Sequence, residues 1–224
     1  MSAGIESVID GIKLFKHEVF DTQKEHFSAL ARGQSPQVLM VACSDSRVVP
    51  QLITQTGPGD LFVLRNAGNI LPPHGAHHGG EEATIEYAVT ALGIRHIIIC
   101  GHSHCGAVKG LLSAPQDLAN MPSVADWLVY AEATRRAVAE AHAELDEEAR
   151  LLAAVKENVI VQIGNLFTYP AVFAKHAQGE LKVHGWVYMI ESGEVLAYEP
   201  ETRAFHALDQ PVAEKTGEAL KSNA

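Results

Sequence analysis

The stretch GGEEATIEYAVTALGIRHIIIC, residues 79–100, decides the fold. Its first part carries apolar residues at helical spacing, with acidic residues in the first turn and Gly93 after the last turn, which predicts an amphipathic helix. Its last part, HIIIC at 96–100, predicts a strand that is buried on both faces. Because the run LFVLR at 61–65 precedes the helix, the segment completes a β-α-β unit. Such units form parallel sheets with helices packed on the faces.

Further strands and helices extend this unit in both directions. The run VLMVA at 38–42 predicts another buried strand, and residues 122–178 carry mostly helical patterns. The segments LKVHGWVYMI (181–190) and EVLAYE (194–199), joined through a Ser-Gly turn, predict a hairpin or an antiparallel edge. We therefore predict an α/β fold: a mostly parallel sheet flanked by helices, with an antiparallel edge.

The chain has the size of one domain. Its 224 residues show no repeat or linker, so we expect a single domain over 1–224. Residues 1–30 form a predicted helical arm, whose apolar stripe within 5–20 would pack either on its own domain or on a second subunit. Residues 205–224 are predicted to be a tail that is mobile or docked on a partner.

Charge and cysteine content limit the classes of function. The net charge of −10 and the isoelectric point near 5.6 argue against binding to nucleic acid or to an anionic membrane, so a small substrate is expected. Charged residues interrupt the amino-terminal segment too often for a signal peptide or a membrane span. Three cysteines are too few for a disulfide framework, so we predict reduced thiols in a soluble, cytoplasmic protein.

Polar clusters follow three of the predicted strands. They are CSDSR at 43–47, RNAGN at 65–69 and CGHSHCG at 100–106. Because chemistry in open parallel sheets gathers beyond the carboxyl ends of the strands, we expect these clusters to meet at one edge of the sheet. The first cluster is then one half of a site.

The donors at this edge suit a zinc ion. His102 and Cys105 form an H-x-x-C pair at the start of a predicted helix, and Cys43 adds a second thiolate from the neighbouring strand end. The fourth position is left to Asp45, water or substrate. A structural zinc site is the alternative, although such sites favour four Cys and His ligands.

Arg47 is predicted to pair with Asp45. The pair would keep the Asp45 carboxylate ionised and in one orientation, where it accepts a hydrogen bond from a metal-bound hydroxide. A surface salt bridge is the ordinary alternative for an Asp-x-Arg pair. Its place beside a thiolate ligand favours the catalytic interpretation.

Other donors near the edge receive different interpretations. His104 is expected to point away from the metal if His102 and Cys105 point towards it. Cys100 lies inside its strand and is predicted to be a small core residue. The loop PPHGAHHGG at 72–80 could relay protons through its histidines, although solvated loop residues are the simpler interpretation. These histidines are His74, His77 and His78.

The three clusters, in this order and spacing, resemble the signature segments of the β-class carbonic anhydrases over about residues 30–190. The resemblance implies reversible hydration of carbon dioxide to bicarbonate and a proton by a zinc lyase with one zinc ion per subunit. It also implies a homodimer, or a dimer of dimers, with the active site at the subunit interface. The implied zinc ligands are Cys43, His102 and Cys105, and the implied catalytic dyad is Asp45 and Arg47.

The resemblance is to the plant-like members, whose zinc is accessible. It implies that Gln34, Phe62 and Tyr87 reach the substrate from the partner subunit, and that Gln34 with the backbone near Gly106 holds the product oxygens. Met40 stands where the other type has a tryptophan of its regulatory bicarbonate pocket, although Arg65 and Tyr188 could be the arginine and tyrosine of that pocket. We therefore expect an open site at neutral pH and no strong bicarbonate switch.

Two further functions are considered as alternatives. One is hydrolysis of carbonyl sulfide or carbon disulfide on the same fold, but the sequence contains no obvious insertion that would close the site. The other is a catalytically silent zinc-binding sensor, which would have no need of Asp45, Arg47 and Gln34.

Overall fold

A single mixed sheet forms the centre of the molecule. The computed structural model describes residues 4–76 and 78–208. Within these ranges the sheet has the strand order β2-β1-β3-β4-β5-β6. The strands are β1 (Val38–Cys43), β2 (Leu61–Asn66), β3 (His96–His102), β4 (Lys182–Tyr188), β5 (Val195–Glu199) and β6 (Ala204–Ala207).

The sheet has the predicted mixture of strand directions. β1 pairs in parallel with β2 and β3, and β3 pairs in parallel with β4. The later pairs, β4 with β5 and β5 with β6, are antiparallel. The predicted α/β class with an antiparallel edge is therefore confirmed.

Helices cover the sheet and lead into its strands. The segment at 79–93 forms a helix that begins at Gly80 and continues as a π-helical turn over Tyr87–Ala91, as its apolar spacing predicts. Within the described ranges, no helix combines the length and the apolar character needed to cross a membrane. The helices are α1 (Ile5–Leu14), α2 (Lys24–Leu30), α3 (Pro50–Thr54), α4 (Gly80–Glu86), α5 (Gly106–Leu112), α6 (Pro122–Leu128), α7 (Glu132–Ala141), α8 (Glu147–Leu166) and α9 (Pro170–Ala177).

Helix α8 packs closely against the centre of the sheet. Val159 of α8 is fully buried, and glycines occupy the facing positions of β3 and β4. A Cβ atom at Gly101 would lie 3.0 Å from Val159 Cγ2, and one at Gly185 would lie 2.8 Å from Val159 Cγ1. The missing side chains therefore allow the helix to approach the two strands at this point.

The two ends of the chain differ from each other. Helix α1 continues as a π-helical segment over Phe15–Phe20, and neither segment buries a residue within the chain. Ile5 is 73% exposed and Ile12 is 64% exposed. In the described chain, the apolar stripe therefore does not pack on its own domain, which was one of the two expected arrangements.

At the carboxyl-terminal end, the prediction of a tail is wrong for residues 205–207, which belong to strand β6. β6 extends to Ala207 because Phe205 packs against Tyr198 of β5, with ring centroids 5.3 Å apart. The short strand was missed because its four residues carry too little pattern to stand out. Residues 209–224 lie outside the described residues.

Candidate active site

The three polar clusters meet at one edge of the sheet. Cys43 is the last residue of β1 and His102 the last of β3, and these strands are parallel neighbours. Cys105 lies three residues after His102 and is the N-cap of α5. The donor atoms of these three residues lie within 4.8 Å of one another, and all three residues are buried. We call this set the Cys-His-Cys group.

The Cys-His-Cys group fits a metal ion. Its two sulfur atoms are 4.0 Å apart, close to the ~3.8 Å expected for two thiolates on one tetrahedral zinc ion. The Nδ1 atom of His102 lies 2.8 Å from the carbonyl oxygen of Ser103, which can only accept, so Nδ1 carries the proton. Nε2 is therefore a lone-pair donor, and it is buried without a hydrogen-bond partner in the described chain. Such a polar atom is explained by a metal ion.

The two thiols influence each other's ionisation. The hydrogen bond from Cys105 lowers the pKa of Cys43 to about 4. The same interaction, together with burial, raises the pKa of Cys105. One thiolate is therefore favoured in the group by itself, and a divalent cation would compensate the charge of the second.

The RNAGN cluster contributes backbone and one side chain. The Gly68 N–H donates to Cys43 Sγ over 3.4 Å. Arg65 donates from Nε to the Cys43 carbonyl oxygen at 3.0 Å and from Nη2 to that of Asp45 at 2.8 Å. Arg65 was expected at this edge as part of the RNAGN cluster, but its bonds to the carbonyl groups of Cys43 and Asp45 were not predicted.

Arg47 holds Asp45 in a bidentate ion pair. Arg47 Nε lies 2.9 Å from Asp45 Oδ1 and Arg47 Nη2 lies 2.7 Å from Oδ2. The Arg47 backbone N–H adds a third bond, to Oδ1. These bonds hold the pKa of the Asp45 carboxyl well below its usual range. Asp45 Oδ2 is also 3.9 Å from His102 Nε2, so the ionised carboxylate borders the Cys-His-Cys group.

Of the four predicted substrate residues, Gly106 adjoins the Cys-His-Cys group, and the other three lie elsewhere in the single chain. Gln34 is exposed in the segment before β1, whereas Gly106 begins α5 directly after Cys105. Phe62 and Tyr87 face each other with ring centroids 6.0 Å apart. Phe62 precedes by four residues the β2 residue in register with Cys43, a distance of about 13 Å along the strand. The fold of one chain therefore separates Phe62 from the Cys-His-Cys group.

His104 and Cys100 stand apart from the Cys-His-Cys group. His104 Nε2 lies 3.5 Å from a Glu191 oxygen, and its side chain is 46% exposed. The backbone of His104 has a positive φ of 56°, which lets His102 and Cys105 turn inward while His104 turns outward. Cys100 is buried in the core, where burial raises the pKa of its thiol to about 12. Both residues lie as the sequence predicts.

Two histidines of the 72–80 loop share one carboxylate. His74 Nε2 lies 3.0 Å from Glu82 Oε1, and His78 Nδ1 lies 3.3 Å from Glu82 Oε2. His77 lies outside the described residues. A role of this loop in proton transfer stays a prediction.

Comparison with known proteins identifies the family. The carbonic anhydrase family profile matches residues 38–195. A carbonic anhydrase of Synechocystis sp. is 50% identical over 195 residues, covering 87% of this chain and 71% of that protein. The solved β-carbonic anhydrase CcaA is 48% identical, with a TM-score of 0.90 over 93% of both chains. The chain belongs to the β-class carbonic anhydrases. It is an enzyme that reversibly hydrates carbon dioxide to bicarbonate and a proton.

A second solved relative bears on assembly. A pair of β-carbonic anhydrases from Sordaria macrospora, described as tetrameric, includes a chain 31% identical to this one. That chain has a TM-score of 0.78, and the match covers 86% of this carbonic anhydrase and 95% of the fungal chain. These comparisons support neither the sulfur-substrate hydrolase nor the silent sensor.

Proposed function

We propose that Cys43, His102 and Cys105 hold one zinc ion per subunit, and that Asp45 and Arg47 are the catalytic dyad for hydration of carbon dioxide. The observation that carries the proposal is the convergence of three buried donor atoms, of which His102 Nε2 has no hydrogen-bond partner among the described residues. Two thiolates and one imidazole are a donor set that zinc accepts, with one position left for reaction. When bound, zinc supplies a Lewis acid that makes water acidic enough to lose a proton near neutral pH.

The dyad orients the nucleophile. Asp45 is ionised at neutral pH and can only accept hydrogen bonds, so its Oδ2 would accept the hydrogen of the attacking oxygen and so leave a lone pair of that oxygen free for carbon dioxide. Arg47 prevents the carboxylate from rotating because it holds both oxygens. With both oxygens held by Arg47, Asp45 would not serve as a fourth metal ligand. Met40, in the place of the regulatory tryptophan, agrees with an open site without a strong bicarbonate switch.

The substrate pocket is proposed to be shared between two subunits. Phe62 and Tyr87 form an apolar pair that suits carbon dioxide, and Tyr87 is 50% exposed in the single chain. Gln34 is exposed as well and can donate to substrate or product oxygens. Gly106 begins α5, so its N–H has no acceptor within the helix and can hold a product oxygen.

The assembly is proposed to be a homodimer or a dimer of dimers, with no nucleic-acid or membrane partner. The exposed apolar stripe of α1 supports contact with a second subunit. The tetrameric Sordaria relatives support further pairing. A thiolate metal site works only with reduced cysteines, which supports a cytoplasmic location.

The test combines metal analysis with stopped-flow hydration of carbon dioxide between pH 6.5 and 9. We expect one zinc ion per subunit in the wild-type enzyme and in Asp45→Asn, with a rate at least about a hundredfold lower in the variant. Asp126→Asn, an exposed aspartate of α6, is the control and should keep the wild-type rate. A zinc-loaded Asp45→Asn enzyme with wild-type turnover would exclude the dyad.

A further inference from the structure

The Gly68 N–H is a hydrogen-bond donor to a proposed metal ligand. It lies 3.4 Å from Cys43 Sγ, and both residues are buried. A donor to a ligating sulfur stabilises its negative charge and helps to set its strength as a ligand. What holds Gly68 in place therefore matters for the metal centre.

Two side chains hold the peptide groups on either side of Gly68. Trp127 Nε1 donates to the Ala67 carbonyl oxygen over 2.8 Å, and that carbonyl belongs to the same peptide group as the Gly68 N–H. Asn158 Nδ2 donates to the Gly68 carbonyl oxygen over 3.0 Å, in the next peptide group. The indole bond polarises the first peptide group along the direction of its N–H···S bond, so the two hydrogen bonds reinforce each other.

The amide of Asn158 is held in one orientation by its neighbours. Its Oδ1 accepts from Gln162 Nε2 at 2.9 Å and lies 3.4 Å from Thr134 Oγ1. Gln162 is oriented in turn, because its Oε1 accepts from the backbone N–H of Leu71 at 2.8 Å. Asn158 and Gln162 are almost completely buried. A backbone donor thus determines which side of the Asn158 amide faces Gly68.

The backbone at this point needs support. Gly68 has φ of 81° and Asn69 has φ of 49°, so two consecutive residues adopt left-handed conformations. A Cβ atom at Gly68 would lie 3.0 Å from the Ala107 Cβ. Such backbone persists only where the surrounding structure holds it. The bonds from Trp127 and Asn158 provide that support.

We propose that Trp127 and Asn158 are positioning residues of the metal centre, which hold the peptide groups around Gly68 so that its N–H points at the Cys43 sulfur. The inference rests on the proposed ligation of zinc by Cys43. Removing either bond should let the Gly68 peptide rotate, weaken the N–H···S bond and loosen the hold on the metal. Substitution of residues that orient metal ligands lowers metal affinity by about 10- to 100-fold.

The test uses two variants, each with a matched control. Trp127→Phe removes the indole N–H, and its control Tyr169→Phe removes the hydroxyl that donates to the Pro72 carbonyl. Asn158→Asp removes the amide donor, and its control Asp146→Ala removes the side-chain N-cap of the same helix, where Asp146 Oδ1 accepts from the Ala149 N–H. Each full-length protein is measured for zinc loss to an excess of chelator, for the sulfur-to-cobalt charge-transfer band after cobalt substitution, and for urea unfolding.

We expect Trp127→Phe and Asn158→Asp to release zinc about 10- to 100-fold more readily and to shift the charge-transfer band. The controls should lower stability to urea without changing either metal measurement. Wild-type zinc retention and an unshifted band in folded Trp127→Phe would overturn the inference, as would equal zinc loss in the controls. If Asn158→Asp does not fold, the comparison of Trp127→Phe with Tyr169→Phe tests the inference by itself. A wild-type enzyme without the thiolate band would instead overturn the proposed site, and the inference with it.

Discussion

In the proposed active site, the role of Arg47 is to orient Asp45, and its effect on the charge of Asp45 is secondary. The guanidinium contacts both carboxylate oxygens and also donates to the His104 carbonyl oxygen at 3.1 Å. Its presence depresses the pKa of Asp45, yet an unperturbed aspartate with a pKa of about 3.9 is already ionised at neutral pH. Loss of Arg47 should therefore change where the carboxylate points and not whether it is charged.

Arg47→Gln is expected to lower the hydration rate across pH 6.5 to 9, with no recovery as the pH rises. Because the folded pKa of Asp45 is depressed, its ionised form stabilises the fold above the unfolded value of about 3.9 and loses this contribution only as the pH falls further. Stopped-flow rates over this pH range check the prediction. A variant that regains the wild-type rate at high pH would show that charge, and not orientation, is the role of Arg47.

The cysteines are expected to separate into ligands and core. Cys105→Ala should lose the zinc ion, because it removes one of three donors. Cys100→Ala should retain it, with a stability cost of about 1 kcal/mol for a small cavity. Zinc content per subunit after dialysis is the measurement. Zinc binding that survives Cys105→Ala but not Cys100→Ala would contradict the assignment.

The sequence shows the donors of the site but not the contacts that hold them. Cys43, His102 and Cys105 could be predicted because they follow buried strands whose ends must meet. Trp127 and Asn158 carried no such signal, because both lie inside the segment 122–178, whose pattern indicates helices and no site. Their hydrogen bonds depend on the path of the backbone around Gly68, which a pattern of side chains does not contain.

Among the elements, α8 packs against the sheet with little room at Gly185 of β4. An added Cβ at Gly185 would meet Val159 Cγ1 at 2.8 Å, Ile163 Cδ1 at 2.9 Å and Tyr198 Cβ at 3.2 Å. These atoms come from the helix and from the neighbouring strand β5. A shift that moves the added Cβ away from α8 therefore moves it closer to Tyr198 of β5.

Gly185→Ala should lower the free energy of unfolding by about 1–3 kcal/mol, the usual effect of overpacking. Gly164→Ala, on the exposed side of α8 with nothing within 4 Å of an added Cβ, should raise it by about 0.5–1 kcal/mol. Urea unfolding of both variants measures the difference. Equal effects of the two substitutions would contradict this account of the helix–sheet contact.

Elements with strong apolar patterns were predictable, and short ones were not. The runs at 38–42, 61–65 and 96–100 correspond to β1, β2 and β3 within two residues, because strands buried on both faces leave uninterrupted apolar runs. β6 has four residues of intermediate or exposed character. β6 is held in the sheet by its hydrogen-bonded pairing with β5. The sequence of one short segment does not show which strand it will pair with.

At the level of the whole molecule, α1 is an amphipathic helix that no other described part of its own chain covers. Ile5, Val8, Ile9 and Ile12 are between 46% and 73% exposed. Apolar residues at this spacing along one face are typical of a helix that packs against another surface. The proposed dimer would cover this face and bring Gln34, Phe62 and Tyr87 to the neighbouring site.

The double variant Ile9→Asp and Ile12→Asp is expected to weaken the dimer by more than about tenfold, because two charges would enter an apolar contact. Hydration activity should fall at the concentrations where the subunits separate. Phe173→Asp, an exposed apolar residue of α9, is the control. Analytical ultracentrifugation combined with activity against protein concentration checks both. A fully active double variant that sediments as a monomer would contradict a shared active site.

The pairing of β4 beside β3 also has consequences for how the chain folds. Residues 103–181 separate the two strands, so their parallel contact must wait until a long connection has closed. Because synthesis proceeds from the amino terminus, β1, β2, β3 and Cys105 leave the ribosome well before α8 does. The nascent chain therefore passes through an interval in which the thiols of Cys43 and Cys105 can meet before α8 has packed on the sheet. In that interval, a reducing environment or an early metal ion would protect them from oxidation.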